Sequence, residues 1–208
     1  MKRLFDLTLA GIGLCLLWPL LLVIALAVKF DSFGPALYRG SRAGLQGQPF
    51  LILKFRTMVV GADKLGGPST ANDDPRITRF GRFLRKYKLD EFPQLVNVFA
   101  GEMSFVGPRP EVLSEVQAYS AEERELLTVR PGITDWASLR FRDEGGVLAG
   151  SNDPHQAYRE KIRPEKIKLG LQYVRRHSFL TDLVILLQTA KTVVDISRDR
   201  QMSKEGHT

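Results

Sequence analysis

Apolar residues dominate the start of the chain. No charged residue lies between Leu7 and Val28, and a helix of about 22 positions would extend roughly 33 Å, enough to cross a bilayer. A straight span would place one basic flank on the outer side, against the positive-inside tendency. The flanking basic residues are Lys2, Arg3, Lys29, Arg39 and Arg42.

Pro19 lies near the middle of this apolar run. Because proline lacks an N–H and its ring clashes with the preceding turn, it can bend the helix into two arms of about 17 Å. Each arm would reach about halfway through a hydrocarbon core roughly 30 Å thick, and both ends would return to the cytoplasmic face. We therefore predict a re-entrant membrane helix in residues 1–30, broken at Pro19. The alternatives are a straight span and a secretory signal cleaved near residues 25–27, although the run is longer than a usual signal core.

For residues 31–208 we predict a compact, mainly α domain with one small β-hairpin, which is an α+β fold. Two short apolar segments, 36–39 and 50–55, flank a Gly-rich stretch and predict the hairpin. Glycine, proline, asparagine and aspartate in residues 59–75 predict a loop, as does the segment 131–153. The apolar spacing predicts helices at about 76–88, 90–99, 111–129, 155–177 with a break near Pro164, and 179–197.

Two of these helices are amphipathic. In residues 76–88 arginines alternate with an apolar stripe, so this helix could lie in the interface of an anionic membrane. The alternative is an ordinary helix that faces the core and has solvated arginines. Helix 179–197 carries polar residues along its length, which favours packing on the domain or at the interface over a span.

Composition narrows the range of partners. The 208 residues suit one domain and a membrane element. A net charge of +7 favours anionic partners, namely nucleotide phosphates, lipid head groups or nucleic acid. The single cysteine, Cys15, excludes an internal disulfide and fits a reducing compartment.

Asp90 and Glu91 are the candidate catalytic residues. Pro93 is tolerated in a first helical turn, which predicts that the two acids lie at a helix N-terminus. Carboxylate oxygens are ligands that Mg²⁺ prefers. Nearby cations and the helix dipole should favour the anionic form of Asp90, which could then attack a polarised phosphorus. The alternative is that both acids only stabilise the helix.

Five blocks in a fixed order resemble the bacterial sugar transferases, the monotopic polyprenol-phosphate phosphoglycosyl transferases. The blocks are Lys54-Phe55-Arg56-Thr57-Met58, residues 76–85, residues 89–98, residues 101–110 with Gly107-Pro108-Arg109-Pro110, and Val129-Arg130-Pro131-Gly132-Ile133-Thr134. The resemblance extends from residue 2 almost to residue 206.

The resemblance implies transfer of a phosphosugar from a nucleotide diphosphate sugar, with UDP the expected carrier, to undecaprenyl phosphate. Asp90 would be the nucleophile that forms a phosphosugar-aspartate intermediate, Glu91 its partner, and Mg²⁺ would be held by Asp90 and substrate oxygens. An alternative within this class has the lipid phosphate attack directly, with Asp90 only a metal ligand. The matching positions around the substrate phosphates are Arg56, Arg85, Arg109 and Arg142, supported by Lys54, Thr57, Pro108 and Pro110.

The same resemblance implies a setting for the enzyme. It would sit in the bacterial inner membrane with its catalytic domain on the cytoplasmic face, bind anionic lipid, and form a homodimer. Nucleic acid is not an expected partner, because paired acids weaken binding to a polyanion. The competing hypothesis is a non-enzymatic basic module at the membrane.

Three departures from the family pattern stand out. Trp18 precedes Pro19 where a small polar residue is common, and Gly170 stands where many members have an acid. Asp143 or Glu144 could take over the role of that acid. Residues 135–138 read Asp-Trp-Ala-Ser instead of Gly-Leu-Ala-Gln, which, with the insert 143–154, suggests a subgroup with its own sugar preference.

Overall fold

The computed structural model describes residues 1–67 and 69–205, with side chains up to residue 192. Pro68 of the predicted loop and residues 206–208 of the predicted domain lie outside the described residues. The helices are α1 Lys2–Asp31, α2 Arg79–Lys86, α3 Gln94–Ala100, α4 Leu113–Gln117, α5 Trp136–Arg140, α6 Glu144–Leu148, α7 Pro154–Lys161, α8 Arg163–Arg176 and α9 Phe179–Glu205. The strands are β1 Leu37–Ala43, β2 Pro49–Phe55, β3 Ser104–Val106 and β4 Gly132–Thr134.

The predicted β-hairpin is confirmed. Strand β1 pairs antiparallel with β2, with Leu37 opposite Phe55 and Ala43 opposite Pro49. A second, parallel pair joins β3 to β4, with Val106 beside Thr134. The mainly helical α+β class is therefore confirmed for the described residues.

Several helix boundaries differ from the prediction. The segment 90–99 is not one helix, because the acids occupy a 3-10 turn, Leu89–Glu91, and α3 begins only at Gln94. The segment 111–129 divides into α4 and a 3-10 helix, Glu123–Thr128. The predicted loop 131–153 contains β4, α5 and α6. The break near Pro164 is confirmed, because α7 ends at Lys161 and α8 begins at Arg163.

Helix α1 continues through Pro19 without interruption, so the hairpin of two arms is not confirmed and stays a prediction. Among the described residues it is the one helix long and apolar enough to cross a membrane, by length and composition. Its buried residues cluster towards its two ends, whereas residues around Pro19 such as Leu16 (74%) and Trp18 (61%) are exposed.

Both ends of α1 are fixed to the remainder of the fold. Near its start, Lys2 Nζ donates to Val106 O at 2.9 Å and forms an ion pair with Asp182 at 2.6 Å. Near its end, Ile24 and Val28 pack against core residues of β2 and α2, namely Phe55 and Leu84. One cluster of the core therefore lies between α1, β2 and α2, next to the elements that carry the acids.

Candidate active site

The acid pair lies in a short turn that directly follows α2. Thr78 accepts a hydrogen bond from Gly81 N and starts α2, and Lys88 takes a left-handed conformation (φ 56°) just after that helix ends. The chain then forms the 3-10 turn Leu89–Glu91. Asp90 and Glu91 are consequently buried, although both are charged residues of a short turn.

Glu91 is held by two cations. Lys54 Nζ on β2 donates to Oε1 at 2.7 Å, and the guanidinium of Arg109 donates to both carboxylate oxygens, to Oε2 at 3.3 Å. Burial alone would raise the pKa of Glu91, but Arg109 and Lys54 outweigh it and hold that pKa well below its usual value. Glu91 is therefore an anion whose charge is fully paired.

Asp90 differs from its neighbour. Among the described residues its buried Oδ1 has no hydrogen-bond partner. Burial and the charge of Glu91 raise the pKa of Asp90, and nearby Lys54, Arg85 and Lys88 offset this only in part. The nearby cations do favour the anionic form, as predicted, but burial removes the water that would solvate the charge and outweighs them, so the net shift of the pKa is opposite to the one expected.

Arg85 lies within electrostatic reach of Asp90 and is bonded to Thr57. Arg85 Nε donates to Thr57 Oγ1 at 2.9 Å, and burial lowers the pKa of Arg85 while the charge of Asp90 opposes that effect. Burial likewise lowers the pKa of Lys54, although Glu91 opposes it. Two cations are thus held close to the acids by the ends of β2 and α2.

Pro108 and Pro110 enclose Arg109 directly after β3. Gly132 N of β4 donates to Pro108 O at 3.0 Å, and a Cβ on Gly132 would lie 2.1 Å from Gly107 N. This close crossing of two backbones fixes the turn that aims Arg109 at Glu91. The roles of the two prolines as rigid supports stay predictions.

Arg56 and Arg142 are placed differently from the other predicted phosphate ligands. The guanidinium of Arg56 donates to carbonyls at the end of α1, those of Val28, Ser32 and Phe33. Arg142 is exposed in the turn between α5 and α6. No hydrogen bond joins either side chain to Asp90 or Glu91 in the described part of the chain, so their roles at phosphate stay predictions.

The model of the family described as bacterial sugar transferase matches residues 1–196. The chain belongs to this family. The UDP-glucose:undecaprenyl-phosphate glucose-1-phosphate transferase of Caulobacter vibrioides is 40% identical over 199 residues, which is 93% of this chain and 69% of that protein. The protein of the same name from Escherichia coli is 39% identical, and the match covers 91% of this chain but only 39% of that protein.

A shorter relative matches over most of its own length. The exopolysaccharide production protein ExoY of Sinorhizobium fredii is 37% identical over 208 residues, covering 92% of this chain and 84% of that protein. The predicted family is therefore confirmed, and the chain is a sugar transferase. Its apolar α1 is compatible with membrane association.

The acid pair of this sugar transferase fits a metal only in part. Among the described residues there is no group of three or more histidine, cysteine, aspartate or glutamate side chains that could hold an ion. The unpartnered Asp90 Oδ1 supplies one hard oxygen of the kind that Mg²⁺ prefers. A bound Mg²⁺ would thus need its other ligands from substrate phosphates and water.

Gln94, which carries none of the roles predicted above, is a buried polar residue close to the acids in sequence. It is 1% exposed at the start of α3, one turn after the acids, and its Nε2 is buried without a hydrogen-bond partner among the described residues. A polar residue directly after Pro93 was the one sequence feature that could have indicated a role for Gln94. Its burial depends on distant contacts, which sequence spacing does not show.

Proposed function

We propose that this chain transfers a phosphosugar from a UDP-sugar to undecaprenyl phosphate, giving undecaprenyl-diphosphate-sugar and UMP. This would be the first membrane step of a glycoconjugate pathway. The observation that carries the proposal is Asp90, whose buried and unpartnered Oδ1 lies within electrostatic reach of Lys54 and Arg85. The names of the relatives support the substrate class, and they make UDP-glucose the first donor to test.

The reaction proceeds in two displacements at one phosphorus. In the first, a carboxylate oxygen of Asp90 attacks the phosphorus that carries the sugar, and the bond from that phosphorus to the UMP oxygen breaks. UMP leaves with that oxygen and the bonding electron pair. In the second, an oxygen of undecaprenyl phosphate attacks the same phosphorus, and the bond to Asp90 breaks to restore the carboxylate.

The charged neighbours of Asp90 would each neutralise part of the charge on the substrate phosphates. Glu91 holds Lys54 and Arg109 in place, and Arg109 keeps one third of its side chain exposed, so free N–H groups can face a phosphate. Arg85 lies on the α2 side of Asp90. A Mg²⁺ ion held by Asp90 and substrate oxygens would supply further neutralisation of the diphosphate charge.

The identity of the released nucleotide tests this function. Detergent-solubilised protein mixed with undecaprenyl phosphate, Mg²⁺ and UDP-glucose should release UMP, and a panel of other UDP-sugars would follow if UDP-glucose is inactive. Asp90→Asn should lower the rate of UMP release at least about 10³-fold, since the nucleophile is lost. Release of UDP would instead mean ordinary glycosyl transfer.

A second experiment separates covalent transfer from direct attack by the lipid. Without undecaprenyl phosphate, the covalent route predicts one equivalent of UMP per protein and a mass increase on the peptide that contains Asp90. Direct attack predicts neither. In that case Asp90 would be only a metal ligand.

We also propose that α1 enters the membrane from one face and returns to it. Support comes from the contacts at both its ends, since Lys2 bonds Val106 and Arg56 bonds Ser32, while Trp18 near the middle is exposed. A helix that spans the bilayer would carry one end away from the domain.

From the resemblance we also expect the protein to lie in the inner membrane with its catalytic domain on the cytoplasmic face, to bind anionic lipid and to form a homodimer.

A further inference from the structure

Arg56 occupies the carboxyl end of α1. The last turn of a helix leaves carbonyl oxygens without partners inside the helix, and a cation there also interacts favourably with the helix dipole. Arg56 Nη2 donates to Ser32 O at 2.7 Å and to Val28 O at 3.3 Å, and Nη1 donates to Phe33 O. The residue is only 6% exposed. Both terminal nitrogens of the guanidinium therefore bond the backbone at the end of α1, while the buried Nε has no partner among the described residues.

The backbone at Gly34 lies close against this guanidinium. Gly34 has a φ of +126°, which residues with a side chain rarely adopt, and a Cβ there would lie 2.7 Å from Arg56 Nη1. The same Cβ would lie 2.6 Å from Val60 Cγ2. Glycine at position 34 therefore allows the chain after α1 to close over Arg56.

The residue after Arg56 is part of the candidate active site. Thr57 Oγ1 accepts the hydrogen bond from Arg85 Nε at 2.9 Å, and Thr57 O accepts one from Thr78 N at 3.0 Å. Asp31 Oδ1, at the end of α1, also accepts a bond from Phe80 N in α2, at 3.2 Å. The end of α1, the end of β2 and the start of α2 thus form one hydrogen-bonded junction.

We propose that Arg56 is a positioning residue that couples the end of the membrane helix to the active site, in place of the phosphate ligand expected from the resemblance. It anchors the end of β2 to α1, so that Thr57 holds Arg85 beside Asp90. Displacing Arg56 then misplaces Arg85, and the loss should fall on kcat, because a cation beside the reacting phosphorus stabilises the charge of the transition state more than that of the bound donor. The kinetic part of this inference rests on the proposed phosphosugar transfer.

Four variants test the proposal. Arg56→Ala removes the anchor, and Gly34→Ala displaces it while every guanidinium of the chain is kept. Thr57→Val removes the acceptor of the Arg85 bond, and Arg124→Ala, at an exposed position in a 3-10 helix, is the control for the loss of one positive charge. The kcat for UMP release and the KM for the UDP-sugar are measured for each variant and for the double variant Arg56→Ala with Thr57→Val.

A positioning role predicts a fall in kcat with an unchanged donor KM. Arg56→Ala and Gly34→Ala should each lower kcat about 10- to 100-fold, because small misplacements of a catalytic group are costly, with donor KM within about twofold of the wild type. The double variant should be no slower than the slower single variant, since both changes break one pathway. A donor KM raised tenfold by Arg56→Ala, multiplicative effects in the double variant, or an unchanged kcat would overturn the proposal.

Hydrogen exchange of the substrate-free protein gives a readout that needs no activity. Arg56→Ala should speed amide exchange both at residues 28–34 and at residues 78–86, whereas Arg124→Ala should change neither segment. If exchange in 78–86 is unchanged, Arg56 is not coupled to α2 and the inference fails. If the wild type releases no UMP, the proposed function fails, while the exchange data still decide whether the junction exists. Should Arg56→Ala not fold, Gly34→Ala and Arg56→Lys are compared in the same way.

Discussion

Asp90 and Glu91 are adjacent carboxylates whose pKa values shift in opposite directions. Glu91 has two cationic partners and its pKa is lowered, while Asp90 has an unpartnered buried oxygen and its pKa is raised. The difference follows from which cations each oxygen touches. A residue that can bond a phosphorus or a metal must keep an oxygen free, and the cost of that freedom appears as the raised pKa.

This contrast predicts opposite effects of two neutralising substitutions on stability. Glu91→Gln should lower the free energy of unfolding by about 3 kcal/mol at pH 7.5, at the low end for a broken buried ion pair, because it leaves the partly buried Lys54 and Arg109 without their counter-charge. Asp90→Asn should raise the melting temperature at the same pH, since it removes a buried charge that folding disfavours. Thermal unfolding of the two purified variants in the same detergent measures both effects.

The two pKa shifts also predict how the stability of the protein changes with pH. Because the folded pKa of Glu91 is lowered, its stabilisation is present above the ordinary glutamate range of about 4.3 and is lost as pH falls through the lower folded pKa. Because the folded pKa of Asp90 is raised, the gain from Asp90→Asn should be largest at neutral pH and shrink as pH falls through that pKa. A destabilised Asp90→Asn variant at pH 7.5 would contradict this account.

At the scale of elements, α2 approaches the end of β2 so closely at Gly81 that a side chain would not fit there. A Cβ on Gly81 would lie 2.1 Å from Thr57 O, a backbone atom that cannot move aside as a side chain can. Gly81→Ala should therefore destabilise the protein by about 1–3 kcal/mol as overpacked sites do, and lower UMP release through Arg85. Gly11→Ala is the matched control in α1, because its Cβ would meet Phe99 at an ordinary 3.6 Å. Melting temperatures and turnover of both variants decide the point, and equal effects would refute it.

Which elements the sequence could predict depended on their length and on local signals. The β1–β2 hairpin was predictable because two apolar segments flank a Gly-rich turn, and the break before α8 because Pro164 marks it. Strands β3 and β4 have only three residues each, too few for a period to show, and they pair across a distance in sequence that spacing cannot bridge. The segment 111–129 did carry a local signal. Ser120 and Glu123 exchange hydrogen bonds as a capping box, which restarts the helix there.

Some features of the candidate active site could likewise be predicted from the sequence, and others could not. The reaction class followed from an acid pair among arginines and from the family blocks, and family membership is confirmed. The position of Arg56 did not follow, because its partners lie 23 to 28 residues away in sequence, at the end of α1. Nor did the raised pKa of Asp90, since its burial depends on packing of β2 and α2 against the turn that carries it.

At the scale of the whole molecule, both ends of α1 are held by polar contacts to one body. Arg3 donates to Val98 O at 2.7 Å at the carboxyl end of α3, and Lys2 pairs with Asp182. Arg56 and the amide of Phe80 hold the other end. Breaking either set would expose charged groups of Lys2, Arg3 or Arg56 near apolar lipid, which is costly.

This arrangement predicts that the two ends of α1 face the same side of the membrane. In a Cys15→Ser background, which lacks cysteine because Cys15 is the only one, one cysteine is placed in a short extension before Met1 or at the exposed Phe33. Both should react with a membrane-impermeant maleimide in inverted inner-membrane vesicles and be protected in intact cells. A cysteine in place of Trp18, near the middle of α1, should react in neither preparation but react in detergent. Labelling of the two ends from opposite sides would establish a straight span, and it would require the contacts of Lys2 or of Arg56 to be absent in the membrane.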